Sequence, residues 1–183
     1  MPREVDIDSR DRELRAATLR VVADRGVAGV TIRRVATELG RSTTAITHYV
    51  TDRDDLLARA VDGVLTEWRH EAEAVVREAE DPLWAFVDLS VRSGGDPVWR
   101  ALVTAAAAEV EPVVTEIVAA FEQWWTTRVA DLVAGRALPA TTDAAAAIGV
   151  VVDGLLLASD ARMMTDDERQ RLARVLIEPL LVR

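Results

Sequence analysis

The chain contains no cysteine, which excludes a disulfide framework and a metal site built from thiolates. Its two histidines, His48 and His70, are too few and too far apart in the sequence to suggest a metal centre. A phosphate-binding GxxxxGK loop is also missing, and the carboxylates form no pattern typical of acid–base catalysis. We therefore expect a protein that is not an enzyme and that needs neither a metal nor a cofactor.

Long apolar runs and strand patterns are missing as well. No segment approaches the ~20 apolar residues of a membrane span, and no signal-peptide pattern is present, so we expect a cytoplasmic protein. Helical periodicity recurs along the chain, whereas no segment beyond residue 57 alternates convincingly as a strand does. The sequence therefore predicts an all-α fold of about nine helices.

What the chain does contain is a helix-turn-helix pattern in residues 31–50. Thr31 is a good cap for a first short helix, and Ser42 can cap a second one. Between them Gly40 stands where the first helix must end in a left-handed conformation, which glycine tolerates best. The buried side of the second helix is predicted to consist of Ala45, Ile46, Tyr49 and Val50.

The opposite side of the second helix carries small hydroxyl groups and one ring, from Thr43, Thr44, Thr47 and His48. Such side chains suit a helix that lies close against a DNA groove. Two short helices around a glycine turn also occur in helical proteins that never contact DNA, so the flanking sequence matters. An apolar stripe between residues 14 and 22 predicts a preceding helix, and Asp52 can cap a long following helix.

With these flanks, residues 14–57 resemble the TetR family of one-component bacterial transcription regulators. The resemblance rests on Arg25-Gly26 at the end of the first helix, Thr31-Ile32, Leu39-Gly40, and Arg53 at the start of the fourth helix. It implies a DNA-binding domain over residues 1–57 whose third helix enters the major groove. It implies base or backbone contacts for Thr43, Thr44 and His48, and phosphate contacts for Tyr49 and Arg53. Arg41, Ser42 and Thr47 of the same motif are further predicted DNA contacts.

The sequence departs from the family pattern at three positions of this motif. Arg41 follows the turn glycine, where the family usually has an apolar residue, which puts the packing of the turn in doubt. Thr47 replaces a frequent tyrosine and removes one expected phosphate contact. Val50 replaces a frequent phenylalanine. None of these changes removes the motif.

The charge distribution permits DNA binding although the net charge is −9. Residues 1–57 carry 10 arginines and 10 acids, whereas residues 58–183 carry 12 arginines and 21 acids and so hold the whole surplus. Residues 31–50 contain three arginines and one glutamate, a local charge of +2. An acidic body of this kind would also repel DNA from the wrong surface.

Residues 144–158 form an apolar run that only Asp153 interrupts. A helix that is apolar on nearly every side must be covered on nearly every side, by a partner subunit or by the core of its own domain. The resemblance implies homodimerisation through the last two helices of an effector-binding and dimerisation domain over residues 58–183. The predicted interface residues are Ile148, Val151, Leu155, Leu156, Leu176 and Leu180.

The five tryptophans are a large share for a chain with one tyrosine and two phenylalanines. Some of these rings are candidates for lining an effector cavity between helices, namely Trp84, Trp99, Phe121, Trp124 and Trp125. Tryptophan with acidic side chains would suit a cationic ligand. The alternative is that the same rings are ordinary core packing.

At Glu111-Pro112 either a new helix begins or one long helix kinks.

Together these features predict a ligand-responsive regulator, most simply a repressor. A homodimer would bind a palindromic operator in double-stranded DNA, and a small-molecule inducer would release it. Activation instead of repression stays open. A helical adaptor that dimerises without binding DNA is the alternative from another class of function.

Overall fold

The computed structural model describes residues 3–93, 96–136, 142–162 and 164–181. Within these ranges it has one 3-10 turn (Val27–Gly29) and nine α-helices: α1 (Arg3–Arg25), α2 (Ile32–Glu38), α3 (Thr43–Thr47), α4 (Arg53–Glu78), α5 (Pro82–Ser93), α6 (Pro97–Ala107), α7 (Pro112–Ala134), α8 (Thr142–Arg162) and α9 (Asp166–Leu181). No strand occurs in the described ranges, and the prediction of an all-α fold is confirmed.

The chain divides into two compact units. The first unit comprises Met1–Glu67 and Pro97–Ala119, and the second unit comprises Trp68–Asp96 and Ala120–Arg183. Helices α4 and α7 therefore each contribute residues to both units. The predicted domain boundary after residue 57 lies within α4 and does not coincide with the boundaries of these compact units. The predicted division into a DNA-binding domain and an effector-binding domain stays a prediction.

The core of the first unit is formed by the predicted apolar stripe of α1 and by short segments that follow it. In α1 the buried side chains are Leu14, Ala17, Thr18, Val21 and Val22, all at most 6% exposed. The hydroxyl group of Thr18 donates to the carbonyl oxygen of Leu14 at 2.9 Å, which satisfies a polar atom that burial would otherwise leave without a partner. The stripe that the sequence predicts is confirmed.

Helix α4 begins at a cap made by two acidic residues. The Oδ1 atom of Asp52 accepts from the backbone N–H of Asp55 at 2.8 Å. Asp55 in turn accepts from the backbone N–H of Thr51 at 2.9 Å, so hydrogen bonds fix both ends of this short loop. The predicted cap, and the long helix that it starts, agree with the structure.

The segment around Pro112 contains two separate helices, which decides between the two alternatives. Helix α6 ends at Ala107, and Glu109 then adopts a φ of 52°, in the left-handed region that non-glycine residues avoid. The carbonyl oxygen of Glu111 accepts from the backbone N–H of Thr115 at 3.0 Å and thereby starts α7. Proline follows at the first helical position, where its missing N–H has no consequence.

The core of the second unit combines apolar side chains of α5, α8 and α9. Its members include Leu83, Phe86, Val87, Ile148, Val152, Leu155, Ala173 and Ile177. Thr165 and Glu168 form a capping box at the start of α9, with the Thr165 N–H donating to Glu168 at 2.8 Å. No described helix has both the length and the apolar character needed to cross a bilayer.

The side chain of Arg169 in α9 is only 3% exposed, and it forms a hydrogen bond to α5. Its Nε donates to the carbonyl oxygen of Val91 and its Nη1 to that of Met164, both at 2.9 Å. Asp166 pairs with the remaining nitrogen. These partners replace the water that Arg169 loses on burial, which is the condition for placing a charge in a core.

Candidate functional site

The turn between α2 and α3 is built from short-range hydrogen bonds. The Oγ1 atom of Thr31 accepts from the N–H of Arg34, and the Oγ atom of Ser42 accepts from the N–H of Ala45, both at 3.2 Å. Gly40 has a φ of 63°, and the N–H of Arg41 donates to the carbonyl oxygen of Ala36 at 2.9 Å. This is a Schellman ending, and it confirms the predicted caps and turn.

Helix α3 presents a polar face to solvent. Ile46 and Val50 are buried, at 2% and 3% exposure. Ala45 and Tyr49 are half-buried, so the predicted inner side of the helix agrees with the structure. The outer side chains are all exposed: Arg41, Ser42, Thr43, Thr44, Thr47 and His48. The helix is therefore seated by two apolar side chains and leaves hydroxyl groups, an imidazole and a guanidinium outside.

Two of the positions implied for DNA contact are paired within the first unit. Arg41, the departure after the turn glycine, pairs with Glu13 of α1 at 2.8 Å, so an ion pair replaces the missing apolar contact. The hydroxyl oxygen of Tyr49 accepts from Nη1 of Arg10 at 2.9 Å. Arg10 is a residue that the sequence does not single out, and it brings a positive charge beside the tyrosine.

A basic cleft of about 820 Å³ lies between α1 and α2. Its charged lining residues are Arg20, Asp24, Arg25, Arg33, Arg34 and Glu38, four arginines against two acids. Sequence reasoning missed this cleft because its cations come from two helices. These charged residues occupy exposed positions opposite the buried faces of the two helices, and that pattern is the sequence signal that could have indicated the cleft.

Arg53 is the implied phosphate contact that the structure places differently. Its Nε donates to the carbonyl oxygen of Val30 at 2.9 Å, and its Nη2 donates to that of Val27 at 3.1 Å. The two oxygens of Glu111 accept from Nη1 and Nη2 at 2.8 and 2.7 Å, which is a bidentate pair. The hydrogen bonds to Glu111 raise the pKa of Arg53, and those from Arg53 lower the pKa of Glu111.

A family model described as "Bacterial regulatory proteins, tetR family" matches residues 14–60, which cover the helix-turn-helix and the start of α4. Over these residues the chain is similar to the DNA-binding segment of that family. The transcriptional regulator PksA of Bacillus subtilis is 39% identical over 61 residues, which are 33% of this chain and 30% of that protein. The chain thus matches less than a third of this relative's length.

Solved TetR-like structures match nearly the whole chain. The TetR-family regulator SCO4454 of Streptomyces coelicolor has a TM-score of 0.81 at 20% identity, over 99% of this chain and 95% of that one. A regulator from Rhodococcus sp. Rha1 has a TM-score of 0.80 at 22% identity, over 93% and 95%. A regulator from Saccharomonospora viridis, solved in complex with choline, has a TM-score of 0.81 at 19% identity, over 93% and 96%. At these identities the likeness establishes a shared fold.

The second unit contains a cluster of aromatic rings. Trp68 lies 5.7 Å from Phe86 and 5.3 Å from Phe121, measured between ring centroids, and both pairs meet edge to face. Trp124 and Trp125 complete the cluster at 6.0 and 5.7 Å from Phe86. The indole nitrogens of Trp68 and Trp125 donate to the hydroxyl groups of Ser93 and Ser90.

The structure brings together only part of the predicted ligand set. Phe121, Trp124 and Trp125 belong to the cluster. Trp84 instead lies under the guanidinium of Arg174, 4.6 Å from its ring centroid, and Trp99 belongs to the first unit. Sequence spacing could not separate these cases, since all the tryptophans fall on apolar helices.

Two carboxylates border the cluster from α7 and α8. A Cβ atom at Gly149 would lie 3.5 Å from the Trp125 ring, so α8 passes close to this indole. Glu122 precedes Trp125 by one turn of α7, and Asp153 follows Gly149 by one turn of α8. Burial raises the pKa of both carboxyl groups, and the charge of Asp153 adds to the shift of Glu122.

The predicted interface residues of α8 and α9 divide between core and surface. Ile148 and Leu155 are buried in the core of the second unit, so they face its interior. Val151, Leu156 and Leu180 are half-buried against that core, and Leu176 is exposed. The large apolar side chains that are exposed on these helices are Val150, Leu157, Leu172, Val175 and Leu176. Exposed apolar area on α8 and α9 therefore lies beside the predicted residues.

Proposed function

We propose that the protein is a cytoplasmic transcriptional regulator, most simply a repressor. It binds a palindromic operator as a homodimer and is released by a small-molecule effector. The observation that carries this proposal is the polar outer face of α3, seated on a capped helix-turn-helix within the segment that matches the TetR family. The hydroxyl groups and imidazole of this face are side chains that hydrogen-bond to base edges and phosphates.

The proposed DNA contacts are those of the predicted set that lie on or beside α3: Arg41, Ser42, Thr43, Thr44, Thr47, His48 and Tyr49. The cleft between α1 and α2 adds positive charge to the same unit, four arginines against two acids, and such charge attracts the phosphate backbone without reading its sequence. Arg53 takes a different role, which is inferred in the next subsection.

A gel shift on the DNA upstream of the protein's own gene tests operator binding. The double variant Thr44→Ala with His48→Ala should bind at least about ten-fold more weakly, because two groups facing the groove are removed. The matched control is Thr126→Ala with His70→Ala, two exposed side chains of the second unit. Equal affinity of both double variants and the wild type would contradict the proposed role of α3.

The homodimer proposal rests on the exposed apolar face of α8 and α9. Val150 and Leu157 are 73% and 70% exposed, and Val175 is 68% exposed. Large apolar side chains grouped in this way on a monomer indicate a protein–protein interface. A second copy of the chain is the proposed partner, because a two-fold dimer would set two α3 helices in successive major grooves about 34–36 Å apart.

Analytical ultracentrifugation tests this association. The wild type should sediment as a species of about 40 kDa at micromolar concentration, twice the 20.0 kDa chain. Leu157→Asp should shift it to the monomer, since the new charge would be buried in the interface, whereas Thr126→Asp should not. A wild type that stays monomeric would contradict both the interface and the paired half-sites.

The effector proposal rests on the aromatic cluster and the two carboxylates that border it. Aromatic faces with nearby carboxylates suit an organic cation, and the structural relative from S. viridis was solved with choline. We propose that Phe121, Trp124 and Trp125, with Glu122 and Asp153, receive the effector. Trp84 and Trp99 stay members of the predicted set that the geometry does not support.

Thermal shift with choline and other small quaternary ammonium compounds tests the effector class. Binding should raise the melting temperature and quench tryptophan fluorescence, and the same compound should release operator DNA, because coupling between two sites is reciprocal. Trp124→Leu should abolish the response. No response from any cation, with DNA binding intact, would favour a regulator that acts without this ligand class.

A further inference from the structure

Arg53 opens α4 with a guanidinium whose donors are all engaged inside the first unit. The side chain has five N–H groups. Four bonds run to Glu111 and to the carbonyl oxygens of Val27 and Val30, and a fifth contact joins Nη1 to Asp54 at 3.4 Å. A DNA phosphate could bind Arg53 only by displacing one of these partners. The partly buried bidentate pair with Glu111 is the hardest of them to replace.

The partners of Arg53 lie where they control the start of the helix-turn-helix. Val27 begins the 3-10 turn, and Val30 directly precedes Thr31, the cap of α2. A guanidinium that binds both carbonyl oxygens fixes the path of the chain into α2. Because α2 packs on α3 through the Gly40 turn, this path also sets the orientation of the outer face of α3.

Glu111 is held as firmly as the arginine that it pairs with. Its carbonyl oxygen accepts from the N–H groups of Val114 and Thr115, both at 3.0 Å, so its backbone is the first turn of α7. Its side chain is 15% exposed, against 30% for Arg53. The carboxylate therefore reaches Arg53 from a fixed origin and offers the planar, two-oxygen geometry that a guanidinium matches.

We propose that Glu111 is a positioning residue for operator binding, which acts through Arg53 to hold the entry into α2, and that Arg53 is a clamp and not a phosphate ligand. This inference rests on the proposed DNA-binding function. It assigns to Glu111, a residue without contact to DNA, a part of the operator affinity. It also removes Arg53 from the set of charges that release counterions on binding.

Operator affinity measured over a range of salt concentrations separates the clamp from a phosphate contact. Arg53→Lys keeps the charge but loses the bidentate geometry, and Glu111→Gln keeps the shape but loses the charge. Each should weaken binding about ten-fold, without changing the slope of log K against log salt. Glu116→Gln, an exposed acid on the same helix, is the matched control and should bind as the wild type does.

A phosphate contact would give the opposite pattern and overturn the proposal. Arg53→Lys would then keep the wild-type affinity, Arg53→Ala would lower the salt slope by about one, and Glu111→Gln would bind as tightly as the wild type or more tightly. All variants are to be compared at a temperature where circular dichroism shows them fully folded.

Amide hydrogen exchange tests the clamp without DNA, and so separates its failure from failure of the proposed function. The N–H groups of Gly29 and Val30 donate within the 3-10 turn, to Gly26 and Val27. Both should exchange at least about ten-fold faster in Arg53→Lys and Glu111→Gln than in Glu116→Gln. Unchanged exchange at these amides would overturn the clamp even if operator binding is observed.

Discussion

Two carboxylates of each unit differ in what surrounds them. In the first unit, Arg59 donates to Asp55 at 2.6 Å and Arg53 donates to Glu111, and these hydrogen bonds lower the pKa of both acids. In the second unit, burial raises the pKa of Glu122 and Asp153. The two acids of the first unit thus hold short elements in place through arginine, whereas Glu122 and Asp153 of the second unit, both on exposed side chains, have raised pKa values.

This difference corresponds to the work proposed for each unit. A helix that reads DNA must be held in one orientation, and bidentate pairs and caps provide fixed geometry. A site for an organic cation needs aromatic surface and negative charge, and here the guanidinium of Arg69 already lies 5.4 Å from the Phe121 ring centroid and 5.3 Å from that of Trp124. Four predictions test the contrast, in order of decreasing effect.

The largest effect is expected where the second unit depends on ring packing. Phe86 is fully buried and contacts the rings of Trp68, Trp124 and Trp125. Phe86→Ala should destabilise the protein by about 3–5 kcal/mol, because it removes apolar contacts and leaves a cavity. Thermal unfolding should show a melting temperature about 10 °C lower. Val110→Ala, at a side chain 61% exposed, is the control, and a similar small change in both variants would mean that the cluster is not the core.

The second prediction concerns the paired acid of the first unit. Because the folded pKa of Glu111 is lowered, its stabilising contribution is present above the ordinary glutamate pKa and is lost as pH falls through the lowered value. Glu111→Gln should cost about 2 kcal/mol at pH 7. The stability curves of variant and wild type should converge in acid. Curves that stay parallel down to pH 3 would show that the charge of Glu111 contributes nothing.

The third prediction concerns the cap of α3 in the first unit. The Oγ atom of Ser42 accepts from the N–H of Ala45 at the start of α3. Ser42→Ala should cost about 1 kcal/mol, since an N–H group of the first turn loses its partner. Urea unfolding should place Ser42→Gly between the variant and the wild type. A Gly variant less stable than the Ala variant would argue against capping as the cause.

The smallest effect is expected at a desolvated acid of the second unit, and its sign is reversed. A raised pKa means that the stabilising contribution of Glu122 is present below its unfolded pKa and is lost as pH rises through the folded value. Because the Glu122 side chain is exposed, solvent screens most of this effect, so Glu122→Gln should raise the melting temperature by at most about 1 °C at pH 7 and have no effect in acid. A lower melting temperature at pH 7 would remove the contrast between the two units.

The parts of the fold that the sequence predicts are those whose partners lie within a few residues. Thr31, Gly40 and Ser42 determine caps and a turn through bonds to the next turn of chain, and each was placed correctly. The buried stripe of α1 follows from helical periodicity alone. These signals are local, so tertiary packing has little power to override them.

The parts that the sequence could not predict depend on distant packing. Arg53 and Glu111 are 58 positions apart, and nothing local connects them. On α8 nearly every side chain is apolar, so the sequence pattern does not indicate which side of the helix is buried. The structure buries Ile148 and Leu155, while Val150 and Leu157 face outward. In the same way, nothing in the local sequence distinguishes Trp99, which belongs to the first unit, from Trp124, which belongs to the second.

Hydroxyl-radical footprinting on the DNA upstream of the gene tests the central claim most directly, because it reports both the contact face and the dimer. The account predicts two protected patches centred one helical turn apart, about 34–36 Å, which disappear for Thr44→Ala with His48→Ala. Protection of a single patch would contradict the paired half-sites. No protection of this DNA, at concentrations where the protein is dimeric, would contradict the proposal that the exposed face of α3 binds an operator there.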